Sequence, residues 1–103
     1  MVNYKDLVTE FRNNPRDVPT NPKNGNAPIW FYAYEDNGSV YISSGRNHSN
    51  ASSVCPDRKL QQKEFERMLD LHHRRERGEP VYKEAKSSMN QAYWFGIFKE
   101  LSL

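Results

Sequence analysis

The stretch WFYAYEDNGSVYISSGRN, residues 30 to 47, places aromatic and β-branched side chains on both sides of an Asn-Gly pair. Asn37 and Gly38 tolerate the positive φ angles that a type I′ turn requires at both of its central positions. The pair therefore predicts a β-hairpin over residues 29 to 44. Its register follows from the turn, with Asp36 opposite Ser39.

The predicted hairpin has two chemically different faces, because opposed residues share a face and successive side chains alternate. One face suits a hydrophobic core and carries Phe31, Ala33, Val40 and Ile42. The other face consists of rings with polar tips, namely Trp30, Tyr32, Tyr34 and Tyr41. Such side chains are typical of half-exposed binding surfaces. Whether this aromatic face is open or covered by residues 80 to 103 depends on the tertiary structure.

Helical periodicity predicts three further elements around the hairpin. An apolar stripe predicts a short helix over residues 3 to 12, with Asn3 as its N-cap. A long helix is predicted over about 58–77, reached through residues 57 to 60 in extended form and ended by Gly78. Residues 89 to 101 form either a helix with an aromatic arc or a buried strand, and the helix is favoured.

The predicted fold class is α+β, with the long helix packed on the hairpin and the C-terminal aromatic element closing the core. Residues 13 to 28 hold four prolines and little apolar material, so they are predicted to form a Pro/Asn-rich loop. With 103 residues, the chain can bury one core and not two. We therefore expect a single domain over residues 1 to 103.

The composition also bears on where the protein works. No run approaches the ~20 apolar residues that span a bilayer, and the N-terminus has no leader-like pattern. The single cysteine, Cys55, rules out an internal disulfide framework and suits a small buried apolar position. We therefore expect a soluble cytoplasmic protein without a membrane partner.

Positive charge is concentrated in the predicted long helix. Residues 58 to 77 contain seven basic and four acidic side chains, although the formal charge of the whole chain is only +2. Lysine and arginine spaced about one turn apart can meet successive phosphates. The predicted nucleic-acid contacts are Lys59, Lys63, Arg67, Arg74, Arg75 and Arg77. The same pattern is also typical of a helix that carries charge only for solubility.

Two binding functions follow from these features. The first is a small non-catalytic module that contacts nucleic acid through the basic helix face and the aromatic hairpin face. The second is a protein-interaction or adaptor domain, or a homodimer, that uses the aromatic face, since Tyr, Trp and Arg dominate protein-interface hot spots.

The sequence identifies no catalytic residues, metal ligands or cofactor site. Cys55, His48, His72 and His73 lack the spacing of a zinc site, because adjacent histidines on a helix point about 100° apart. The serines lie in no nucleophile-elbow motif and are interpreted as loop formers.

One resemblance points to an enzyme instead. The order PIW, an Asn-Gly turn and VYIS resembles the two-strand opening of the GIY-YIG nucleases, whose active site contains paired tyrosines, a helical arginine and a metal-binding glutamate. Tyr41 matches one of these tyrosines, but Trp30 replaces the other. Pro28 and Ser43 replace the two glycines, and Arg46 comes before the helix that follows the hairpin. The resemblance covers about one hairpin and implies a metal-dependent nuclease.

A helix-turn-helix is a further possibility for residues 80 to 98. Ala85 would lie in its first helix, and Asn90 and Gln91 would open a second helix able to read base edges. The turn between them lacks the usual glycine.

Overall fold

A computed structural model describes residues 2 to 103. The described residues form four helices, α1 (Tyr4–Asn13), α2 (Phe65–Glu76), α3 (Tyr82–Ala85) and α4 (Gln91–Glu100). The same residues form four strands, β1 (Arg16–Pro19), β2 (Trp30–Asp36), β3 (Ser39–Ser44) and β4 (Arg58–Leu60). A 3₁₀ turn at Gln62–Glu64 leads into α2. The predicted α+β class is confirmed.

The sheet is antiparallel throughout and has the order β1-β2-β3-β4. Its central pair is the predicted hairpin, in the predicted register from Asp36 opposite Ser39 to Phe31 opposite Ser44. Asn37 and Gly38 have φ angles of 51° and 82°, as a type I′ turn requires. The Asn-Gly turn therefore determines which side chains of β2 and β3 point into the core.

The core lies between one sheet face and the helices. Helix α1 packs on β2 and β3, α4 packs on β1, and α2 packs on α4. The predicted core side chains of the hairpin, Phe31, Ala33, Val40 and Ile42, are all inaccessible to solvent. At the centre, the indole of Trp94 contacts Tyr4, Phe65 and Phe98.

Tyr4 joins three elements through its phenol. The hydroxyl donates to the Leu60 carbonyl oxygen at 2.6 Å and accepts the Val40 N–H at 2.9 Å. Its helix starts at the predicted N-cap, where Asn3 and Asp6 form a reciprocal capping box. The N-terminal helix is thereby fixed to both β3 and β4.

The interpretation of residues 13 to 28 as a loop is incomplete, because β1 lies within them. Val18 is fully buried and lies opposite Phe31. Pro19 is tolerated because β1 is an edge strand, where a missing N–H donor breaks no ladder. The high proline content conceals this strand in the sequence.

The predicted start of the long helix is wrong, because α2 begins at Phe65 and not near Arg58. Residues Arg58–Leu60 are instead the edge strand β4, with Leu60 opposite Val40. Leu60 falls on the same helical arc as the buried residues of α2, so the apolar pattern runs through the boundary. Pairing with β3 decides the local conformation.

The C-terminal aromatic segment is helical, so the strand alternative for residues 89 to 101 is wrong. Residues Trp94, Phe95, Gly96, Ile97 and Phe98 are all buried in α4. The expectation that Cys55 is buried is also wrong, since its side chain is exposed.

Replacing Trp94 by alanine should destabilise the fold by roughly 3–5 kcal/mol, because it removes the largest fully buried side chain and leaves a cavity. Denaturant unfolding followed by circular dichroism measures this change. Met89→Ala is the control, since Met89 is 86% exposed, and it should change the free energy of unfolding by less than about 0.5 kcal/mol. A small effect of Trp94→Ala would show that α4 does not organise the core.

Candidate ligand-binding face

The sheet face opposite the helices carries the predicted aromatic residues, and we call it the aromatic face. Trp30, Tyr32, Tyr34 and Tyr41 are each half-buried. Tyr34 and Tyr41 lie side by side, with ring centroids 5.7 Å apart and planes 20° apart. Tyr32 continues the row at 6.0 Å from Tyr34. The hairpin register alone places these rings together.

A buried carboxylate holds the loop of residues 45 to 57 against one end of this face. Asp17 lies opposite Tyr32 in the sheet, and its side chain is only 2% exposed. Its oxygens accept the N–H groups of Arg46 at 2.9 and 3.1 Å and of Asn47 at 2.7 Å. Nδ1 of His48 lies 2.8 Å from Oδ2 of Asp17.

These contacts keep the Asp17 carboxylate ionised. Burial by itself raises the pKa of Asp17, but the hydrogen bonds from His48, Asn47 and Arg46 together outweigh burial and hold the pKa below its ordinary value. A buried carboxylate that accepts several hydrogen bonds holds the donating residues firmly in place.

Gly45 permits the loop to cross the sheet at close range. A Cβ at this position would lie 2.5 Å from the Trp30 carbonyl oxygen and 2.9 Å from the Cβ of Ala51. Any larger residue would push the loop away from the strand. The glycine therefore sets the position of Arg46 and the residues after it.

Two side chains of this loop stack on rings of the aromatic face. The imidazole of His48 lies on the indole of Trp30, with centroids 3.5 Å apart and planes 4° apart. The guanidinium carbon of Arg46 lies 3.7 Å from the centroid of Tyr32. In the described part of the chain, Tyr34 and Tyr41 stack only with other tyrosines. Within residues 2 to 103, no loop side chain stacks on these two rings, which are half-buried like the rest of the face.

Tyr34 is additionally fixed by a short hydrogen bond from its hydroxyl to Oδ2 of Asp57, at 2.5 Å. Burial and this bond to a carboxylate raise the pKa of Tyr34 to about 12. The phenol therefore stays neutral at any physiological pH and keeps its ring orientation.

Two cations of this region have no ion-pair partner among residues 2 to 103. Lys59 lies opposite Tyr41 in the sheet and is exposed, and Arg46 is exposed at the other end of the row. Lys59 therefore belongs to the aromatic face. Its predicted position on a helix is wrong, because β4 occupies that segment.

The remaining predicted basic contacts do not form one exposed stripe. Lys63 lies on the 3₁₀ turn, and Arg67 pairs with Glu64 at 3.4 Å. Arg77 pairs with Glu79 at 3.0 Å. Arg75 lies over the Phe95 ring, and burial lowers the pKa of its guanidinium.

Arg74 is the most heavily paired of the group. It lies 2.7 Å from Glu84, 3.1 Å from Glu79 and 3.8 Å from Asp70. Its hydrogen bonds lower the pKa of both Glu84 and Glu79. The C-terminal end of α2 is thus a network of opposite charges.

The structure also bears on the helix-turn-helix and nuclease hypotheses. Five consecutive residues of α4, from Trp94 to Phe98, are buried, so the middle of this helix has no exposed face that could enter a DNA groove. Arg46 lies in a loop, where the GIY-YIG resemblance would require a helix. Within residues 2 to 103, no three or more His, Cys, Asp or Glu side chains are grouped to hold a metal ion.

The chain was compared with family models, with curated proteins and with solved structures, and no comparison gave a match. In residues 2 to 103, no helix has the length and apolar character needed to span a membrane. The assignment of the candidate site therefore rests on its geometry.

Asp17 and His48 are components of this face that sequence reasoning misses. Asp17 lies in the segment that the prolines mark as a loop, and the spacing of His48 indicates only that it is no metal ligand. The sequence feature that could have indicated both residues is Gly45, because a glycine next to a strand marks a close approach of the backbone.

Asp17→Asn should destabilise the protein by roughly 1–3 kcal/mol, because a backbone donor loses its acceptor and the tether loses its charge. Since the pKa of Asp17 lies below 3.8, its stabilising effect is present above that pH and is lost as the pH falls below it. Urea unfolding at pH 7 and at decreasing pH should show the two proteins converging. Asp36→Asn, at an exposed position, is the matched control.

The alkaline titration of Tyr34 gives a second test. Between its ordinary pKa of 10.0 and the folded value of about 12, the unfolded chain releases this proton while the folded chain retains it. Stability should therefore fall as the pH rises through that window, and less so in Tyr34→Phe. Tyrosinate absorbance should show Asp57→Asn lowering the pKa of Tyr34. An unchanged titration would mean that Asp57 does not hold the phenol.

Proposed function

We propose that the protein binds single-stranded nucleic acid on the aromatic face. The observation that carries this proposal is the pair of half-exposed rings on which no loop side chain stacks, Tyr34 and Tyr41, with the cations Arg46 and Lys59 beside the row. Stacking on such rings is tolerant of sequence because every base has a π-face. The proposed ligand is RNA or DNA without a fixed sequence.

The rings supply most of the affinity in this proposal. Each base that stacks on an aromatic side chain contributes about 1–3 kcal/mol by truncation. Tyr34 and Tyr41 together provide room for two neighbouring bases. In a duplex the bases are already stacked on one another, so single strands should bind more tightly.

The electrostatic contribution should be small. Among residues 2 to 103, Arg46 and Lys59 supply the free positive charge of this face, and the acids Asp17 and Asp57 are already engaged by hydrogen bonds. Two phosphate contacts on a single strand predict a slope of log K against log salt of about −1.4. Six contacts through the predicted basic residues would give about −4. The slope therefore distinguishes the two surfaces.

Tyr41→Ala should weaken binding of a fluorescent single-stranded oligonucleotide by about five- to 150-fold, the equivalent of one lost base stack. Arg46→Ala combined with Lys59→Ala should weaken binding and flatten the salt dependence. The matched control is Arg67→Ala with Arg77→Ala, which removes the same charge from ion-paired positions. Fluorescence anisotropy over a salt series compares these variants with the unaltered chain.

Absence of binding at low salt would overturn the proposal, as would an equal loss in the control pair. The protein-interaction hypothesis predicts a different result. A homodimer formed through the same face would dissociate on Tyr41→Ala in light scattering, while the oligonucleotide would not bind either protein.

A further inference from the structure

We propose that His48 is a general base on the aromatic face and that the protein cleaves single-stranded RNA without a metal ion. This inference rests on the proposed function and adds a chemical step to it. The geometry of His48, Asp17 and Arg46 supports it. Stacking of bases on the tyrosines would not require that geometry.

The imidazole of His48 is held in one tautomer. Asp17 is buried and ionised, so Nδ1 must carry the proton that bridges the 2.8 Å contact. The lone pair of the neutral ring then lies on Nε2, which makes no hydrogen bond within residues 2 to 103. The side chain of His48 is 37% exposed, whereas that of Asp17 is 2% exposed. The imidazole is therefore partly open to solvent, whereas its orienting carboxylate is buried.

Stacking fixes the plane of the imidazole as well. The ring lies parallel to Trp30 at 3.5 Å, and the hydrogen bond to Asp17 fixes its rotation within that plane. A histidine that serves only to close a loop does not need a free, oriented Nε2. The combination of a carboxylate, an oriented imidazole and an open nitrogen is the arrangement that activates hydroxyl groups.

Arg46 supplies the second group that phosphodiester cleavage requires. Its guanidinium lies on Tyr32, and the imidazole of His48 lies on Trp30. These two strand residues share a face at a separation of about 7 Å, so the two functional groups are about one nucleotide unit apart. A phosphate held by Arg46 would present the adjacent ribose to His48.

The chemistry balances without a cofactor. Nε2 of His48 takes the proton of the ribose 2′-hydroxyl, the 2′-oxygen forms a bond to phosphorus, and the bond from phosphorus to the 5′-oxygen breaks. The leaving oxygen takes a proton from water, and the imidazolium returns its proton to the hydroxide so formed. Arg46 stabilises the charge on the non-bridging phosphate oxygens. The products are a 2′,3′-cyclic phosphate and a 5′-hydroxyl.

The test is incubation of the full chain with labelled single-stranded RNA in excess EDTA, with the DNA of the same sequence in parallel. RNA should be cut to products with 2′,3′-cyclic phosphate ends, and DNA should stay intact because it has no 2′-hydroxyl. His48→Asn retains an N–H donor for Asp17 and lacks the base. It should cleave bound RNA about 100- to 10,000-fold more slowly, with the rate measured at saturating RNA so that any change in binding is separated from the chemical step.

The outcomes separate this inference from the proposed function. RNA that is bound and left intact would overturn the inference and leave the binding function standing. Cleavage that persists in His48→Asn, that requires a metal ion or that also cuts DNA would overturn it as well. If RNA is not bound but DNA is, only the inference fails, and if neither is bound, both proposals fail. Circular dichroism of His48→Asn establishes that a lost rate does not reflect unfolding.

Discussion

The buried carboxylate of Asp17 is the contact that organises the open side of this fold. It lies on the edge strand β1, yet its acceptors are used by three consecutive residues of a loop that follows β3. β1 is also held by its pairing with β2, and the loop by hydrogen bonds between Trp30 and residues Asn50 and Ser52, so Asp17 adds a charged contact between two segments that are already placed. Asp17 thereby converts a flat sheet face into a surface with an oriented imidazole and guanidinium. A carboxylate at this position is needed because a neutral group cannot accept from all these donors.

The other side of the sheet explains why this face stays open. Helices α1 and α4 cover the aliphatic face, and the aromatic side chains of α4 are buried in that packing. Both helices therefore turn their apolar surfaces away from the tyrosines. Rings with hydroxyl groups can remain half-exposed because their polar tips reach water. The two faces differ in composition for a physical reason, and the exposed one is the face on which a ligand can be recognised.

Much of the fold could be predicted from local rules. The Asn37-Gly38 turn fixes the register, and the register assigns every side chain of β2 and β3 to a face. Residues 57 to 60 were expected in extended form, but the pairing of both edge strands escaped prediction because it is tertiary: Pro19 is typical of a loop, and Leu60 continues a helical pattern. The rings of the candidate site could be predicted for the same reason as the hairpin. Asp17 and His48 could not, since a loop closure between distant parts of the chain brings them together.

The charges show the same difference between composition and structure. A count of lysines and arginines identifies residues 58 to 77 as the basic segment, but a count does not show which cations are already neutralised. Arg74 has three carboxylates within 4 Å, so an incoming phosphate would have to displace them. Lys59 and Arg46 form no ion pair within residues 2 to 103. Since counterion release favours binding at unpaired cations, the binding function that we propose is assigned to the sheet face and not to the ion-paired arginines of α2.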